Sequence, residues 1–127
     1  MTKWTEEQML AIVKGNTNII VSAGAGSGKT AVLTQRVITN LKKGMHINEL
    51  LILTFTNNAA MEMKTRIKKA ILEDEEIKNE AKLTDSADIT TFDAYVLSLV
   101  KKYHYLLNLD SDITLIDSSI IKKKKKD

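Results

Sequence analysis

The sequence has no cysteine, so neither a disulfide framework nor a thiolate zinc site is available to it. Aromatic residues make up only 5%, and the core must therefore be built from aliphatic side chains. No apolar run approaches the roughly 20 residues that a membrane span requires. The opening Met1-Thr2-Lys3-Trp4 starts no signal peptide. The chain is accordingly expected in the cytoplasm, with no membrane partner. A basic body is missing too. The sequence pI is near 9.0, yet the five lysines at 122–126 exceed the whole formal charge of +3 and leave the remainder at −2. Such a run reads first as a solvated tail. A nucleic-acid partner has to be argued from motifs, not from net charge.

What is present is 127 residues with 43% hydrophobic and 28% charged content, an ordinary globular balance long enough for one core and too short for two. Thr5-Glu6-Glu7-Gln8 has the form of a helix start, with Thr5 as cap and Gln8 closing a capping box. Met9, Ile12 and Val13 give that helix a short apolar face, and Lys14-Gly15-Asn16 ends it. Residues 18–22 form a short β-branched run of the kind buried in parallel sheets. After a glycine-rich loop, 29–41 reads as a helix with Val32, Leu33, Val37 and Leu41 at helical spacing. Residues 49–55 are a second, almost wholly apolar strand, and a helix is expected from about 59 to 72. Residues 78–86 read as a loop or frayed helix, 89–91 as a third strand, 92–107 as a helix and 113–116 as a fourth strand. The alternation of strand and helix is that of a parallel α/β sheet.

The loop between the first strand and its helix carries the sharpest chemistry. In Ala23-Gly24-Ala25-Gly26-Ser27-Gly28-Lys29-Thr30, glycines allow backbone amides to curl around phosphates where a Cβ would collide. The helix that follows directs its positive end at the same place. Lys29 reaches β and γ phosphates and Thr30 offers a hydroxyl to Mg²⁺, so these two are the catalytic candidates. Ala25 and Ser27 supply further cradle amides, and ATP with Mg²⁺ is the expected ligand pair. The general pattern asks for Gly where this sequence has Ala23. A glycine-rich turn without ligand is the bland reading, set aside because loop, context, Lys29 and Thr30 agree.

These residues, with those downstream, resemble the start of a superfamily 1 DNA helicase of the UvrD/Rep/PcrA type. Trp4-Thr5-Glu6-Glu7-Gln8, Lys29-Thr30-Ala31-Val32-Leu33 and Lys101-Lys102-Tyr103-His104-Tyr105 are most similar to the AddA-like group of bacterial helicase–nucleases. The resemblance covers the chain from Trp4 to about Asp117. In that family Ala at the position of Ala23 is common. Gln8 matches the Q motif, whose amide reads adenine, and an amide can both donate to and accept from an adenine edge. Capping and base reading are compatible roles. Leu53-Thr54-Phe55-Thr56-Asn57-Asn58-Ala59-Ala60-Met61-Glu62-Met63 matches motif Ia, so Thr54, Phe55, Thr56 and Asn57 are implied to contact single-stranded DNA. Without the family, Phe55 would read as core and Asn57 as a cap. Thr90-Thr91-Phe92-Asp93-Ala94-Tyr95 matches motif Ib with two departures, Asp93 for His and Ala94 for Ser. An acidic group repels a phosphate backbone, so the implied contact is carried to Thr91 and not to Asp93. Arg36 and Lys64 read as solvated surface charges. Ala31 stands where many relatives have an adenine-stacking Arg and cannot serve that role.

The resemblance implies a RecA-like fold and an ATP-dependent motor of DNA repair, coupling hydrolysis to movement along single-stranded DNA. A second component of the helicase–nuclease is implied as a further partner. The resemblance also implies an Asp-Glu pair at the end of a later strand, to hold Mg²⁺ and activate water. No such pair ends a strand here. Ile71-Leu72-Glu73-Asp74-Glu75-Glu76 continues a helical phase, and in Ile113-Thr114-Leu115-Ile116-Asp117 the next residue is Ser118. Asp117 reads as a helix cap. The expected organisation is an incomplete RecA-like 1A domain over 1–117, then a lysine-rich segment at 118–127 where the family begins its 1B insertion. An amino-terminal fragment of this kind is expected to bind ATP weakly, without efficient hydrolysis or unwinding. The alternative is a stand-alone P-loop nucleotide-binding protein with no DNA function and Asp117 as its metal acid. A third is a segment that folds poorly and associates through exposed sheet edges.

Overall fold

The computed structural model describes residues 3–22, 24 and 28–108. Helix α1, Glu6–Val13, is started by both halves of the capping box: the Gln8 amide donates to Thr5 Oγ1 at 3.1 Å, and the Thr5 amide to Gln8 Oε1 at 2.9 Å. Glu6 and Glu7 in the first turn suit the positive end of the helix. Helix α2, Lys29–Lys42, starts from Gly28 in the left-handed region (φ 82°, ψ 26°). It buries Val37, Ile38 and Leu41. Gly44, at φ 104°, turns the chain, and its amide donates to the Leu41 carbonyl.

A single 3₁₀ turn, Ile47–Glu49, leads into strand β1, Leu51–Thr54. Helix α3, Asn57–Leu72, is capped by Thr56, whose Oγ1 accepts from the Ala59 amide at 3.1 Å. Its buried residues Ala60, Met63, Ile67 and Ile71 fall on one stripe at spacings of three and four. Residues Lys78–Ser86, expected as loop or frayed helix, form a 3₁₀ run lying against α3. Strand β2, Asp88–Thr91, pairs with β1 in parallel, Leu51 opposite Asp88 and Thr54 opposite Thr91. A parallel pair needs a long crossover, and α3 provides it. Helix α4, Phe92–Lys102, begins where β2 ends, with Thr91 as cap and the Ala94 amide donating to its Oγ1.

The core is drawn from α2, α3, both strands and the two 3₁₀ segments between them, with Ile47, Ile67 and Ile71 fully buried. Each such isoleucine contributes on the order of 1.5–3 kcal/mol by leaving water. Two fastenings tie its edges. Lys42 and Asp74 form an ion pair at 2.8 Å. His46 Nδ1 donates to Glu80 Oε1 at 2.7 Å, while the Ile47 amide donates to Glu80 Oε2 at 3.0 Å.

Two expectations need correction. Residues 18–22 form no strand: Ile20 is 99% exposed and Val21 59%. A β-branched run becomes a strand only when a neighbour offers a ladder and a face to bury, and among the described residues only β1 and β2 pair. The helix expected to reach 107 stops at Lys102, and His104–Leu106 is a 3₁₀ turn. The sheet is therefore parallel as expected, but it has two strands among the described residues. The strand expected at 113–116, Asp117 and the lysine run lie outside the described residues. Among the described residues no helix is long and apolar enough to cross a membrane.

Candidate functional site

The start of α1 and the start of α2 meet. A Cβ on Gly28 would stand 3.5 Å from Gln8 Nε2, and Gly28 also has the positive φ that side chains resist. Lys29 follows as the first, exposed residue of α2, and Thr30 is half-buried beside it. Its cap residue, Gly28, has no side chain to bond the first amides, and the start of a helix is the end that favours an anion. A cavity of about 630 Å³ opens between the two helices, walled by Gln8, Ala11, Gly24, Lys29, Val32 and Leu33, among others. Its size suits a small cofactor. Of the loop residues, Gly24, Gly28, Lys29 and Thr30 are thus placed, and Ala23, Ala25, Gly26 and Ser27 lie outside the described residues.

Arg36, expected as a solvated surface charge, is half-buried and committed to backbone. Its Nη1 donates to the carbonyls of Lys14 at 2.7 Å, Ala11 at 3.0 Å and Ile12 at 3.5 Å, all at the end of α1. Nothing in sequence marks a side chain that will bond to carbonyls of another helix. Lys64 lies 3.6 Å from Asp85 in an exposed ion pair.

A second cluster lies where both strands end. Parallel register sets Thr54 beside Thr91, which carries Phe55 and Phe92 to the same edge. Their ring centroids are 5.6 Å apart at 34°, within the range of aromatic pairing. Phe55 is 91% exposed, so it is not the core residue its type alone would imply. Thr54 Oγ1 donates to the Thr56 carbonyl at 3.1 Å. Thr56 and Thr91 hydroxyls accept from their own helices, as caps. Asn57 is the exposed first residue of α3. Four of the five expected DNA contacts, Thr54 to Asn57, are thus consecutive in chain, and the first of them is the register partner of the fifth, Thr91. Phe92, not among the expected contacts, joins them through Phe55. The repeated Thr-Phe step at the ends of two parallel strands was the available signal. Asp93, in the first turn of α4, matches the positive end of that helix.

The titrating groups with displaced affinities lie at the core fastenings. The hydrogen bond to Asp74, then its charge, raises Lys42, and the same contact lowers Asp74. Glu80, by hydrogen bond and charge, raises His46. Burial pushes Glu80 upward, but the Ile47 amide and the His46 ring outweigh it and hold the carboxyl below its ordinary value.

Fold and site together define a mixed helix and strand domain with a small parallel sheet and a cavity at the start of α2. The chain belongs to the UvrD/REP helicase N-terminal domain family, which it matches over residues 4–127. It is 40% identical over 132 residues to the AddA protein, an ATP-dependent helicase/nuclease component, of Heliobacterium modesticaldum, covering 98% of this chain and 10% of that protein. Proteins of the same name show 41% identity in a Thermoanaerobacter species, over 93% of this chain and 10% of that protein. In Geobacillus thermodenitrificans the identity is 40%, over 99% of this chain and 11% of the relative. The chain spans about a tenth of the length of these relatives.

Proposed function

We propose that this chain is the ATP-binding part of a RecA-like helicase motor of the AddA type, which holds ATP·Mg²⁺ in the cavity between α1 and α2. The observation that carries the reading is the approach of Gln8 to Gly28: a base-reading amide and a phosphate-binding loop border the same cavity. Lys29 and the first turn of α2 take the β and γ phosphates. The Mg²⁺ ion screens the phosphate charge, and the half-buried Thr30 is the hydroxyl that would hold it. Val32 and Leu33 in the cavity wall give the base an apolar surface.

Single-stranded DNA is assigned to the other edge. Phe55 and Phe92 offer faces for bases, a mode indifferent to sequence. Asn57 and the amide-rich starts of α3 and α4, which converge there, suit backbone phosphates. Thr54, Thr56 and Thr91 hold the turns that aim them. The exposed phenyl pair favours this reading over a nucleotide-binding protein with no DNA role. In the intact motor, ATP turnover would drive movement along the strand, together with a second component of the helicase–nuclease. The chain of 127 residues should bind nucleotide without DNA-stimulated turnover, because neither strand among the described residues ends in an Asp-Glu pair and the run 113–116 is followed by Asp117-Ser118.

Titration with a fluorescent ATP analogue tests the nucleotide site. Saturable, Mg²⁺-dependent binding that Lys29→Ala removes is the expected result; equal binding by both proteins refutes it. DNA-stimulated hydrolysis lost in Lys29→Ala would overturn the claim of an inactive segment.

A further inference from the structure

Helix α1 is short and buries little of itself. It has eight residues and buries Ala11 and Ile12, whereas isolated helices shorter than about 12 residues are marginal in water. Its last turn contains no basic residue, so it does not itself neutralise its negative end. Yet this helix carries Gln8, on the same face as Ala11 and Ile12 at spacings of three and four. What secures it comes from α2. The Arg36 guanidinium donates to three carbonyls at the C-terminal end of α1, groups that have no partner within a helix. It also brings a positive charge to the end of the helix that favours one.

Lys29 and Arg36 lie on one helix, two turns apart. We infer that Arg36 is a positioning residue that sets base selectivity: α2 serves as a ruler, with Lys29 fixing the phosphates at one mark and Arg36 fixing the Gln8-bearing helix at another. The inference rests on the nucleotide site proposed above. Without Arg36 the phosphate end still binds, but Gln8 is no longer held at a defined distance from it. Hydrogen bonds from a charged donor are worth enough that the preference for adenine should fall about tenfold. All three bonds come from Nη1, which the planar, delocalised guanidinium holds in a fixed orientation, whereas an ammonium on a flexible stem fixes the distance less well.

The test measures Mg²⁺-dependent affinities of the 127-residue chain for ATP, GTP and inorganic tripolyphosphate. The proteins compared are wild type, Arg36→Ala, Arg36→Lys, Gln8→Ala and the Arg36→Ala/Gln8→Ala double variant, with Lys29→Ala as control. The ATP-to-GTP preference should drop about tenfold in Arg36→Ala and partly recover in Arg36→Lys, with tripolyphosphate affinity unchanged. The double variant should lose no more preference than Gln8→Ala alone, because both changes act through one amide. An unchanged preference in Arg36→Ala, or additive losses in the double variant, overturns the inference. Should Arg36→Ala fail to fold, Arg36→Lys decides: a preference equal to wild type refutes the role of the guanidinium. Lys29→Ala separates the two claims. If it binds all three ligands like wild type, the nucleotide site itself is wrong. If it binds none while the Arg36 variants keep full preference, only the positioning inference falls.

Discussion

The segment from Ile47 to Thr91 and the segment from Lys3 to Ser22 are built to different standards. The first buries Ile47, Ile67 and Ile71 completely and closes a parallel strand pair over them. The second buries Ala11 and Ile12 and leaves Ile20 and Val21 to solvent. Between them stands α2, packed on the core by Val37, Ile38 and Leu41 and joined to α1 through Arg36. The lesson is that the two ends of the proposed nucleotide site differ in stiffness. Its phosphate end is rooted in the core through α2, and its base end rests on a short helix that buries only Ala11 and Ile12. Local opening should therefore begin at α1.

The largest test of that contrast is core truncation. Ile67→Ala, at a site with no exposure, should cost about 2–5 kcal/mol in denaturant unfolding and loosen the whole domain. Ile12→Ala should cost less and change mainly the signal of α1 and the nucleotide affinity. Equal global losses would erase the contrast. Next in size is the hinge between the regions. Gly28→Ala puts a side chain at a positive φ, with only ordinary contact to the Gln8 amide, and should cost about 1–3 kcal/mol while weakening ATP. Full affinity in that variant would mean that the loop end can relax away from α1.

How far the sequence made this architecture readable depends on the kind of interaction. Helix α1 was legible because its apolar face and the Thr5 capping box are local signals, and α3 was expected within two residues of its start, although its cap is Thr56 and not Asn57. The glycine-rich turn into a helix at Lys29 was legible, and Gly28 at positive φ starts α2 there. The run at 18–22 misled because β-branching reports fitness for a sheet, not the presence of a partner strand. The end of α4 was misplaced because apolar residues continue through Leu107 after the helix has given way to a 3₁₀ turn. Arg36 and the Phe55–Phe92 pair depend on contacts between distant residues, and no local rule announces those.

A smaller effect should appear inside the core. Thr84 is fully buried and its hydroxyl has no hydrogen-bond partner among the described residues. Removing an unsatisfied hydroxyl while keeping the shape is favourable, so Thr84→Val should stabilise by about 1 kcal/mol in denaturant unfolding. A loss instead would show that the hydroxyl has a partner in solution, such as a buried water. The smallest effect expected is on pH. His46 is raised above 6.5 by Glu80, so its contribution is complete below that value and declines as pH rises through the shifted one. Glu80 is lowered below 4.5, so its share is complete above that value and declines as pH falls through the shifted one. The fastening is strongest between these limits. The melting temperature should fall slightly from about pH 6 to about pH 8, and His46→Gln should remove that part of the slope. The same slope in both proteins would assign it to other groups.

Hydrogen exchange with and without ATP·Mg²⁺ reaches the central claim most directly, since it reads both ends of the site in one protein. The amides of α1 and of the first turn of α2 should gain protection together when nucleotide is added. Those of α3 at Ile67 and Ile71 should not change, and Lys29→Ala should abolish the gain. Protection confined to α2, with α1 exchanging as freely as before, would contradict a site shared between the two helices.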